Sequence, residues 1–302
     1  MENNPDFEVI IIGGSYAGLS AAMSLGRSLR KALIIDSGKP CNWQTPQAQN
    51  FITHDGKAPA AIAKEAKHQV LQYPTIEFIS DKATEALPIE FGFHVKTETG
   101  KNFTAKKIIL ATGVKDIMPD LKGFAECWGI SVLHCPYCHG YEVKNEKLGV
   151  LADGAMAYEL SRLISNWSPN LTIFTNGIGE IELENLEKLE RNNIKVVEKQ
   201  VVALNHNNGY LKNIEFSDGT KQEISAIFSH PACQQHSDIP EKLGCERDEN
   251  GLINVDHFQK TSVPGVFAVG DCTTLFRALS AAIASGNKAG AVVNKELIEE
   301  NF

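Results

Sequence analysis

A buried strand, a glycine turn and the start of a helix follow one another in Glu8-Val9-Ile10-Ile11-Ile12-Gly13-Gly14-Ser15-Tyr16-Ala17-Gly18. The apolar run before Gly13 is typical of a strand buried on both faces of a parallel sheet. The glycines allow a tight turn, and the alanine-rich segment after Gly18 predicts a helix whose first amides face the turn. This order predicts a dinucleotide-binding unit at the start of the chain.

A second strand, Ala32-Leu33-Ile34-Ile35, ends at Asp36, about 20 residues beyond the glycine turn. A carboxylate at this position can accept hydrogen bonds from the ribose of an adenosine. The pattern departs from G-x-G-x-x-G at Ser15, which crowds a pyrophosphate slightly but can donate a hydroxyl hydrogen bond. Because a glycine motif alone can be only a tight turn, the other motifs of the chain must be considered with it.

Two more strands end in short polar motifs, one in Lys107-Ile108-Ile109-Leu110-Ala111-Thr112-Gly113 and one in Val266-Phe267-Ala268-Val269-Gly270-Asp271. With these motifs in this order, the chain resembles the low-molecular-weight thioredoxin reductase family of flavoprotein disulfide reductases over nearly its whole length. The resemblance implies an α/β fold with two Rossmann-like dinucleotide-binding domains. It implies a discontinuous FAD-binding domain, residues 1–115 and 236–302, and an NAD(P)H-domain-like insert, residues 116–235, which carries the cysteine pair.

The same resemblance implies which residues contact FAD. Gly13, Gly18 and Asp36 would hold the adenosine diphosphate half, Asp271 would bind the ribityl-pyrophosphate region, and Asn50 would lie near the flavin. A carboxylate at Asp271 would serve equally well as the N-cap of the helix that follows, and both roles are compatible. The full implied cofactor-binding set is Gly13, Gly14, Ser15, Ala17, Gly18, Asp36, Asn50, Ala111, Thr112, Gly113, Gly270 and Asp271.

Two thiols lie three positions apart beside two imidazoles in His134-Cys135-Pro136-Tyr137-Cys138-His139. This spacing suits a reversible disulfide, and a helix N-terminus or a nearby imidazolium lowers the pKa of such a thiol from ~8.5. The alternative is half of a structural zinc site, but the sequence has no second ligand pair, so we expect no metal site. By resemblance, Cys138 would face the flavin and Cys135 would exchange with the substrate.

His139 stands where the family carries an aspartate, within a Cys-Pro-Tyr-Cys-His-Gly-Tyr-Glu pattern. This pattern resembles the thioredoxin reductase-like dithiol oxidases, which close disulfides in small natural products. An imidazole with a pKa near ~6.5 can take a proton from an incoming thiol at neutral pH, which suits dithiol oxidation. The alternative is that His139 only caps or packs beside the helix.

The middle third repeats the strand-turn-helix order without its glycines. After the strand Leu148-Gly149-Val150-Leu151, Ala152 replaces the first glycine and Asp153 brings a negative charge to the place where a pyrophosphate would approach. Thr175-Asn176-Gly177 stands where the family has His-Arg-Arg to grip a ribose 2′-phosphate. The sequence therefore argues against NAD(P)H binding.

Composition excludes several classes of function. The net charge is −8 without a basic cluster, which disfavours nucleic acid as a partner. The N-terminal residues lack the order of a signal peptide and no apolar run reaches the ~18 residues of a membrane helix, so we expect a cytoplasmic protein with no membrane partner. Seven cysteines, mostly scattered singly, do not indicate a secreted disulfide framework.

The leading hypothesis is an FAD-dependent thiol-disulfide oxidoreductase in which Cys135 and Cys138 oxidise a dithiol, with oxygen or another non-nicotinamide compound as the final acceptor. The first alternative is an NAD(P)H-dependent, thioredoxin reductase-like reductase, or one supplied by a protein electron donor. The second alternative, from another class, is a non-catalytic flavin redox sensor. The expected partner is a small dithiol or disulfide, or a thioredoxin-like protein, and the resemblance implies a homodimer.

Overall fold

The strands and helices of the protein are taken from a computed structural model that describes residues 5–302. In chain order they are β1 (Phe7–Ile12), α1 (Tyr16–Arg27), β2 (Ala32–Asp36), α2 (Pro59–Val70), β3 (Ile76–Ser80), β4 (Ala83–Ile89), β5 (Gly92–Thr97), β6 (Asn102–Leu110), β7 (Val114–Asp116), α3 (Phe124–Cys127), β8 (Val132–Leu133), α4 (Pro136–His139), β9 (Leu148–Leu151), α5 (Gly154–Ile164), β10 (Leu171–Phe174), α6 (Leu183–Arg191), β11 (Lys195–Val197), β12 (Val201–Asn207), β13 (Tyr210–Phe216), β14 (Lys221–Glu223), β15 (Ala226–Phe228), β16 (Cys233–Gln235), α7 (Ile239–Lys242), β17 (Val266–Ala268) and α8 (Leu279–Glu299).

Two compact units share these elements. The first contains the described residues up to Trp43, then 60–115 and 233–302, and the second contains 44–59 and 116–232. Each has its own parallel sheet, so the predicted α/β fold with two Rossmann-like units is confirmed. None of the helices within residues 5–302 combines the length and the apolar character needed to span a membrane.

In the first unit, a parallel sheet runs in the order β3-β2-β1-β6. Along its other edge, β6 pairs antiparallel with β5 near its start and parallel with β17 near its end. The strands β1 and β17 and the end of β6 (Ile108, Ile109 and Leu110) are almost completely buried, which explains their apolar sequence. Their carboxyl ends meet at one edge of the sheet, where ligands bind in folds of this kind.

Helices α1 and α8 pack closely on one face of this sheet. A Cβ atom at Gly286 would lie 2.0 Å from the Ala17 carbonyl oxygen, so only glycine permits this approach. The Ser20 hydroxyl donates to the Ile283 carbonyl at 2.7 Å and ties the two helices together. The C-terminal helix therefore stabilises the helix that follows the first glycine turn.

In the second unit, a parallel sheet runs in the order β11-β10-β9-β15-β8, and a separate antiparallel sheet contains β12, β13 and β14. Its core includes the fully buried Phe174 and Phe228. The sequence Asn207-Asn208-Gly209 is typical of a tight hairpin turn, and the structure confirms it, because Asn207 pairs with Tyr210 and both Asn208 and Gly209 have positive φ. This unit keeps the full Rossmann-like framework.

Element boundaries differ from the sequence prediction in two places. The sequence pattern predicts a helix over residues 181–191 and a strand over residues 194–197. In the structure the helix begins at Leu183, with Glu182 at its N-cap position, and the strand begins at Lys195. Both differences are confined to element ends, where sequence patterns are least informative.

The segment 44–59, expected in the FAD-binding domain, groups with the second unit. The Gln44 side-chain amide donates to the Ala125 carbonyl at 3.2 Å, and a bridge between Ala48 and Lys57 folds the segment on itself. The partners Gln44 and Ala125 lie 81 residues apart in the chain, so their contact leaves no local pattern. Residues 233–235, expected in the insert, form β16 in the first unit.

Candidate active site

The first glycine turn lies against the ends of two neighbouring strands. The Gly13 N–H donates to the Ile35 carbonyl at 2.8 Å, and the Gly14 N–H donates to the Asp36 carboxylate at 2.9 Å. Gly13 has a φ of +108°, and a Cβ atom there would lie 2.2 Å from the Ala111 carbonyl oxygen. The turn therefore requires glycine at this position for both conformation and space.

The other predicted motifs of the first unit lie at the same edge of the sheet. The Ala111 N–H donates to the Ile12 carbonyl at 2.8 Å, and the Val269 N–H donates to the Leu110 carbonyl at 2.9 Å. The motif residues in or next to these strand ends are Gly13, Gly14, Ser15, Ala17, Gly18, Asp36, Ala111, Thr112, Gly113, Gly270 and Asp271. Asn50 is the exception, since it lies in the segment 44–59 of the second unit, where its N–H donates to Asp55.

Asp271 lies in a single 3-10 turn, Gly270–Thr273, between β17 and α8. It is not the N-cap of α8, as the sequence also allowed, because Ala278 occupies that position. The Asp271 carboxylate lies 3.7 Å from the Arg277 guanidinium and accepts a contact from the Cys41 thiol at 3.6 Å. Sequence reasoning did not predict either neighbour, because both lie in loops without a motif.

Cys272, the residue after Asp271, is fully buried. Burial raises the pKa of its thiol to about 11, and the thiol donates to the Leu110 and Val269 carbonyls. The position of Cys272 after Asp271 allowed either an approach to the cofactor or simple burial, and its contacts are those of a small buried residue.

Two long helices of the first unit begin at this edge without side-chain caps. Ser15 occupies the N-cap position of α1, but within residues 5–302 its hydroxyl makes no capping hydrogen bond. The N-cap of α8 is Ala278, whose side chain has no acceptor atom. The first N–H groups of a helix have no partner inside the helix, and they favour an anion such as a pyrophosphate.

The cysteine pair lies in the second unit at the start of the short helix α4. Cys135 is its N-cap residue, and Cys138 donates a hydrogen bond from its sulfur to the Cys135 sulfur at 2.7 Å. This hydrogen bond, with those from the N–H groups of Cys138 and Tyr137, lowers the pKa of Cys135 to about 7. The same bond and burial raise the pKa of Cys138. In the reduced pair, the thiolate therefore forms on Cys135 in preference to Cys138.

His139 ends α4 one residue after Cys138. Burial lowers the pKa of its imidazole, so the ring is neutral near pH 7 and can accept a proton. The role of proton acceptor stays a prediction for His139.

A second imidazole, His230, stacks on His134 with ring centroids 4.2 Å apart and bonds through Nε2 to the His134 carbonyl at 2.8 Å. The sequence His230-Pro231 favours a structural turn over a position near the flavin. The two histidines follow β8 and β15, which are paired neighbours in the sheet, and only a correct sheet order could have predicted their contact.

The second turn, residues 152–153 between β9 and α5, differs from the first glycine turn in carrying a negative charge. Asp153 caps α5, and its carboxylate accepts hydrogen bonds from the Gly154 N–H at 2.7 Å and the Glu180 N–H at 2.9 Å. A negative side chain therefore already occupies the helix N-terminus where the pyrophosphate of a dinucleotide would bind.

The neighbouring loop carries no basic side chain at Thr175-Asn176-Gly177. The Thr175 hydroxyl donates to the Gly177 carbonyl at 2.6 Å, and the Asn176 side-chain oxygen accepts from Gln200 and from the Val201 N–H. These polar groups stabilise the loop itself. Nowhere in the described part of the chain do three or more His, Cys, Asp or Glu side chains form a group that could hold a metal ion.

The family model described as pyridine nucleotide-disulphide oxidoreductase matches residues 7–286. The chain belongs to this family. Thioredoxin reductase aclD of Aspergillus oryzae is 32% identical over 305 residues, covering 97% of each chain. The TrxB protein of Bacillus anthracis has a TM-score of 0.94 and 29% identity, covering 98% of this chain and 100% of its own. An oxidoreductase of Agrobacterium tumefaciens has a TM-score of 0.91 and 35% identity, covering 97% and 99%.

These similarities make the protein a thioredoxin reductase-like flavoprotein oxidoreductase, and they imply that it binds FAD. The first unit fits this cofactor, because its glycine turn and two uncapped helix N-termini lie at one edge of the sheet. A dinucleotide that carries a pyrophosphate requires such a surface.

Proposed function

We propose that the protein oxidises a dithiol through Cys135 and Cys138, with FAD as the immediate electron acceptor and oxygen or another non-nicotinamide compound as the final one. The observation that carries this proposal is the Asp153 carboxylate on the N-terminus of α5. A second negative charge at that position is strongly disfavoured, so a nicotinamide dinucleotide is a poor source of electrons for this chain. The electrons then enter through the cysteine pair.

In this proposal FAD is held by the first unit. Gly13 and Gly18 allow the close approach of the pyrophosphate to α1, Asp36 accepts from the adenosine ribose, and Asp271 binds the ribityl-pyrophosphate region. Asn50 is proposed near the flavin on the basis of the family resemblance. When bound, FAD accepts two electrons from the reduced cysteine pair and passes them to the final acceptor.

The chemistry of the residues themselves is thiol-disulfide exchange. A substrate thiolate attacks Cys135 in the oxidised pair, the Cys135–Cys138 bond breaks, and Cys138 leaves and takes a proton. The second substrate thiol then attacks the substrate sulfur of the mixed disulfide and releases Cys135 as a thiolate. The low pKa of Cys135 favours this release.

His139 is proposed as the group that accepts the proton of the incoming thiol. Its pKa is lowered by burial, so the neutral form that can accept a proton predominates at neutral pH. At the end of the exchange two protons and two electrons have left the substrate dithiol, which becomes a disulfide.

Anaerobic stopped-flow absorbance of the flavin tests the direction of electron flow. The holoenzyme is mixed separately with NADPH, NADH and dithiothreitol. We expect rapid bleaching with the dithiol, slow or no bleaching with either nicotinamide, and recovery of the flavin spectrum in air. Rapid bleaching by NADPH would overturn the proposal and identify the protein as a conventional reductase.

The alternative is an NAD(P)H-dependent reductase of a thioredoxin-like protein, and the relatives named thioredoxin reductase favour it. The same cysteines serve that reaction, with the Cys135 thiolate attacking a substrate disulfide. If neither nicotinamide nor dithiol bleaches the flavin, a protein electron donor or a non-catalytic redox sensor becomes the better explanation. Steady-state turnover with any dithiol would exclude the sensor.

The partner, assembly and compartment belong to the same proposal. We propose a small dithiol or a thioredoxin-like protein as substrate, a homodimer as the assembly, and the cytoplasm as the compartment, where cysteines stay reduced. A sedimentation experiment that gives only monomer would remove the homodimer.

A further inference from the structure

We infer that His230 is a positioning residue for Cys135, because its hydrogen bond fixes the peptide bond that joins His134 to Cys135. The inference rests on the proposed function and adds a residue that supports its reacting thiol. His230 follows β15 and is 96 residues from His134 in the chain. The two histidines meet because β15 and β8 are parallel neighbours, with Phe228 opposite Leu133, and both leave the sheet at the same edge.

The chemistry of the acceptor determines the direction of this hydrogen bond. The His134 carbonyl can only accept, so the His230 Nε2, at 2.8 Å, carries a proton and donates it. That proton is present both in this neutral tautomer and in the imidazolium, so the bond persists when the ring takes up a second proton. Two rings also hold His134 in place, since His230 stacks on it with centroids 4.2 Å apart and Trp128 lies at 6.5 Å with its plane inclined by 73°.

The bonded carbonyl lies in the same planar peptide group as the Cys135 N–H. Holding this carbonyl therefore holds the peptide plane on the N-terminal side of Cys135. On the C-terminal side, the Cys135 carbonyl accepts from the N–H groups of Cys138 and His139, both at 3.2 Å. With both planes held, at a φ of −112° and a ψ of 115°, the direction of the Cys135 Cα–Cβ bond is fixed.

Rotation about the Cα–Cβ bond is then the remaining freedom of the Cys135 sulfur, which lies 2.7 Å from the Cys138 sulfur. The hydrogen bond across this distance is the main cause of the lowered pKa of Cys135, and the N–H groups of Cys138 and Tyr137 add to it. Such bonds weaken steeply with distance and angle. A peptide plane released by the loss of His230 would weaken them together, although His230 acts only through the backbone.

Ser229, the preceding residue, provides a matched control. Its hydroxyl donates at 3.0 Å to the Leu151 carbonyl in β9, which pairs with β15 on the side opposite to β8. Its N–H donates to the Leu133 carbonyl at 2.9 Å, and a side-chain substitution leaves this backbone bond intact. Ser229→Ala therefore removes one hydrogen bond beside His230 without releasing the peptide plane of Cys135.

The test measures alkylation of Cys135 by iodoacetamide across pH, which requires no flavin turnover. The holoenzyme is reduced with tris(2-carboxyethyl)phosphine, separated from the reductant without oxygen, and followed by rapid quenching, peptide mapping and mass spectrometry. In His230→Leu we expect the midpoint to rise by about 0.5–1 pH unit, the range for loss of one hydrogen bond. Because the thiolate is the reactive form, the rate at pH 7 should fall about two- to fivefold.

Two further variants separate the hydrogen bond from the stacking. His230→Gln retains a side-chain N–H donor and should bring the midpoint back to within about 0.3 unit of the wild type. His230→Phe retains an aromatic ring without a donor and should shift the midpoint as His230→Leu does. Ser229→Ala should keep the wild-type midpoint.

Three results would overturn the inference. An unchanged midpoint in His230→Phe would mean that the hydrogen bond does not position the thiol. A shift in His230→Gln as large as that in His230→Phe would mean that the donor is not the group that matters. An equal shift in Ser229→Ala would assign the effect to general loosening of the strand ends. Thermal denaturation verifies folding, and if His230→Leu does not fold, the contrast between the Gln and Phe variants decides.

The outcome is separable from that of the proposed function. If NADPH bleaches the flavin rapidly while the His230 variants shift the midpoint as expected, the proposed direction is wrong and the positioning role stands. If dithiols reduce the flavin but the midpoint does not depend on His230, only the positioning role is wrong.

Discussion

The two strand-turn-helix segments of this chain have the same framework and opposite chemistry at the turn. In the first, Ser15 leaves the N-terminus of α1 without a side-chain cap among the described residues. In the second, Asp153 caps α5 and reaches across to the Glu180 N–H. The framework is stabilised by buried apolar strands, whereas the ligand is determined by one side chain at the turn.

This difference separates fold from function within a single molecule. The second unit keeps its parallel sheet and its core although its turn is closed by its own carboxylate. Its reactive groups lie instead on α4, where Cys135 carries a lowered pKa. The second unit therefore combines a Rossmann-like framework with a cysteine pair that lies outside its strand-turn-helix segment.

The largest expected effect is on the first turn. Gly13→Ala places a Cβ atom 2.2 Å from the Ala111 carbonyl oxygen at a φ of +108°. We expect a loss of roughly 3–5 kcal/mol in the free energy of unfolding and a protein purified without flavin. Flavin absorbance per polypeptide and thermal denaturation measure both effects.

The matched control is Gly154→Ala in the second turn. A Cβ atom there meets no atom within 4 Å, although the φ of +60° still costs about 1 kcal/mol. Flavin content should stay at the wild-type level. A Gly13→Ala protein that retains flavin and wild-type stability would contradict this expectation. It would show that the first turn tolerates alanine at the position where the second turn has Ala152.

The next largest effect is expected on dithiol turnover when the cysteine pair of the second unit is changed. Cys138→Ser should lower dithiol turnover by on the order of a thousandfold or more, because the pair can no longer form its disulfide. Flavin content should not change, since the substitution lies outside the first unit. Cys41→Ser, which removes an exposed thiol near Asp271, is the control and should keep turnover within about twofold. Wild-type turnover of Cys138→Ser would refute the role of the pair.

The pH dependence of alkylation at Cys135 tests which group lowers the pKa of this thiol. The thiolate is the reactive form, so alkylation of the reduced protein by iodoacetamide should accelerate as pH rises, with a midpoint near the pKa of about 7. Cys138→Ala removes the main hydrogen bond to this thiolate. The midpoint should then move up toward ~8.5 and the rate at pH 7 should fall about tenfold.

Asp153→Asn is the control for this titration, because it changes the charge at the second turn and leaves α4 intact. Its midpoint should match that of the wild type. A midpoint that moves with Asp153 instead of Cys138 would mean that the turn, and not the neighbouring thiol, governs the pKa of Cys135.

The smallest effect compares the two N-cap residues directly. Asp153→Ala removes a hydrogen-bonded cap and should cost about 1 kcal/mol, or roughly 2–4 °C in Tm. Ser15→Ala removes a hydroxyl that makes no capping bond within the described chain and should cost less than about 0.5 kcal/mol. Both are measured by thermal denaturation of the flavin-free protein, so that cofactor binding does not contribute, and equal losses would contradict the difference between the turns.

Local patterns predicted much of the fold and part of the site. The apolar runs of β1, β2, β9 and β10 and the order of glycines, cysteines and small residues are local signals, and the structure follows them. The negative charge of Asp153 could be predicted from its position in the turn. The lowered pKa of Cys135 could be anticipated because two thiols and a helix start within four residues.

The remaining features depend on contacts between distant parts of the chain. Asp153 bonds to the Glu180 N–H, 27 residues away, and His230 bonds to His134, 96 residues away. The segment 44–59 joins the second unit through contacts such as Gln44 with Ala125. No periodicity or motif encodes such pairs, because they arise only when the sheet order and the loops are known.

The pairing of β6 with β17 also affects how the protein folds during synthesis, because the second strand is made long after the first. The two strands are separated by about 150 residues, so ribosomes that add ~5–20 residues per second need roughly ten to thirty seconds between them. Throughout that interval the end of β6, from Ile108 to Leu110, lacks its partner strand. An unpaired apolar edge is prone to aggregation. We therefore expect the nascent protein to need shielding of this edge until β17 has been synthesised.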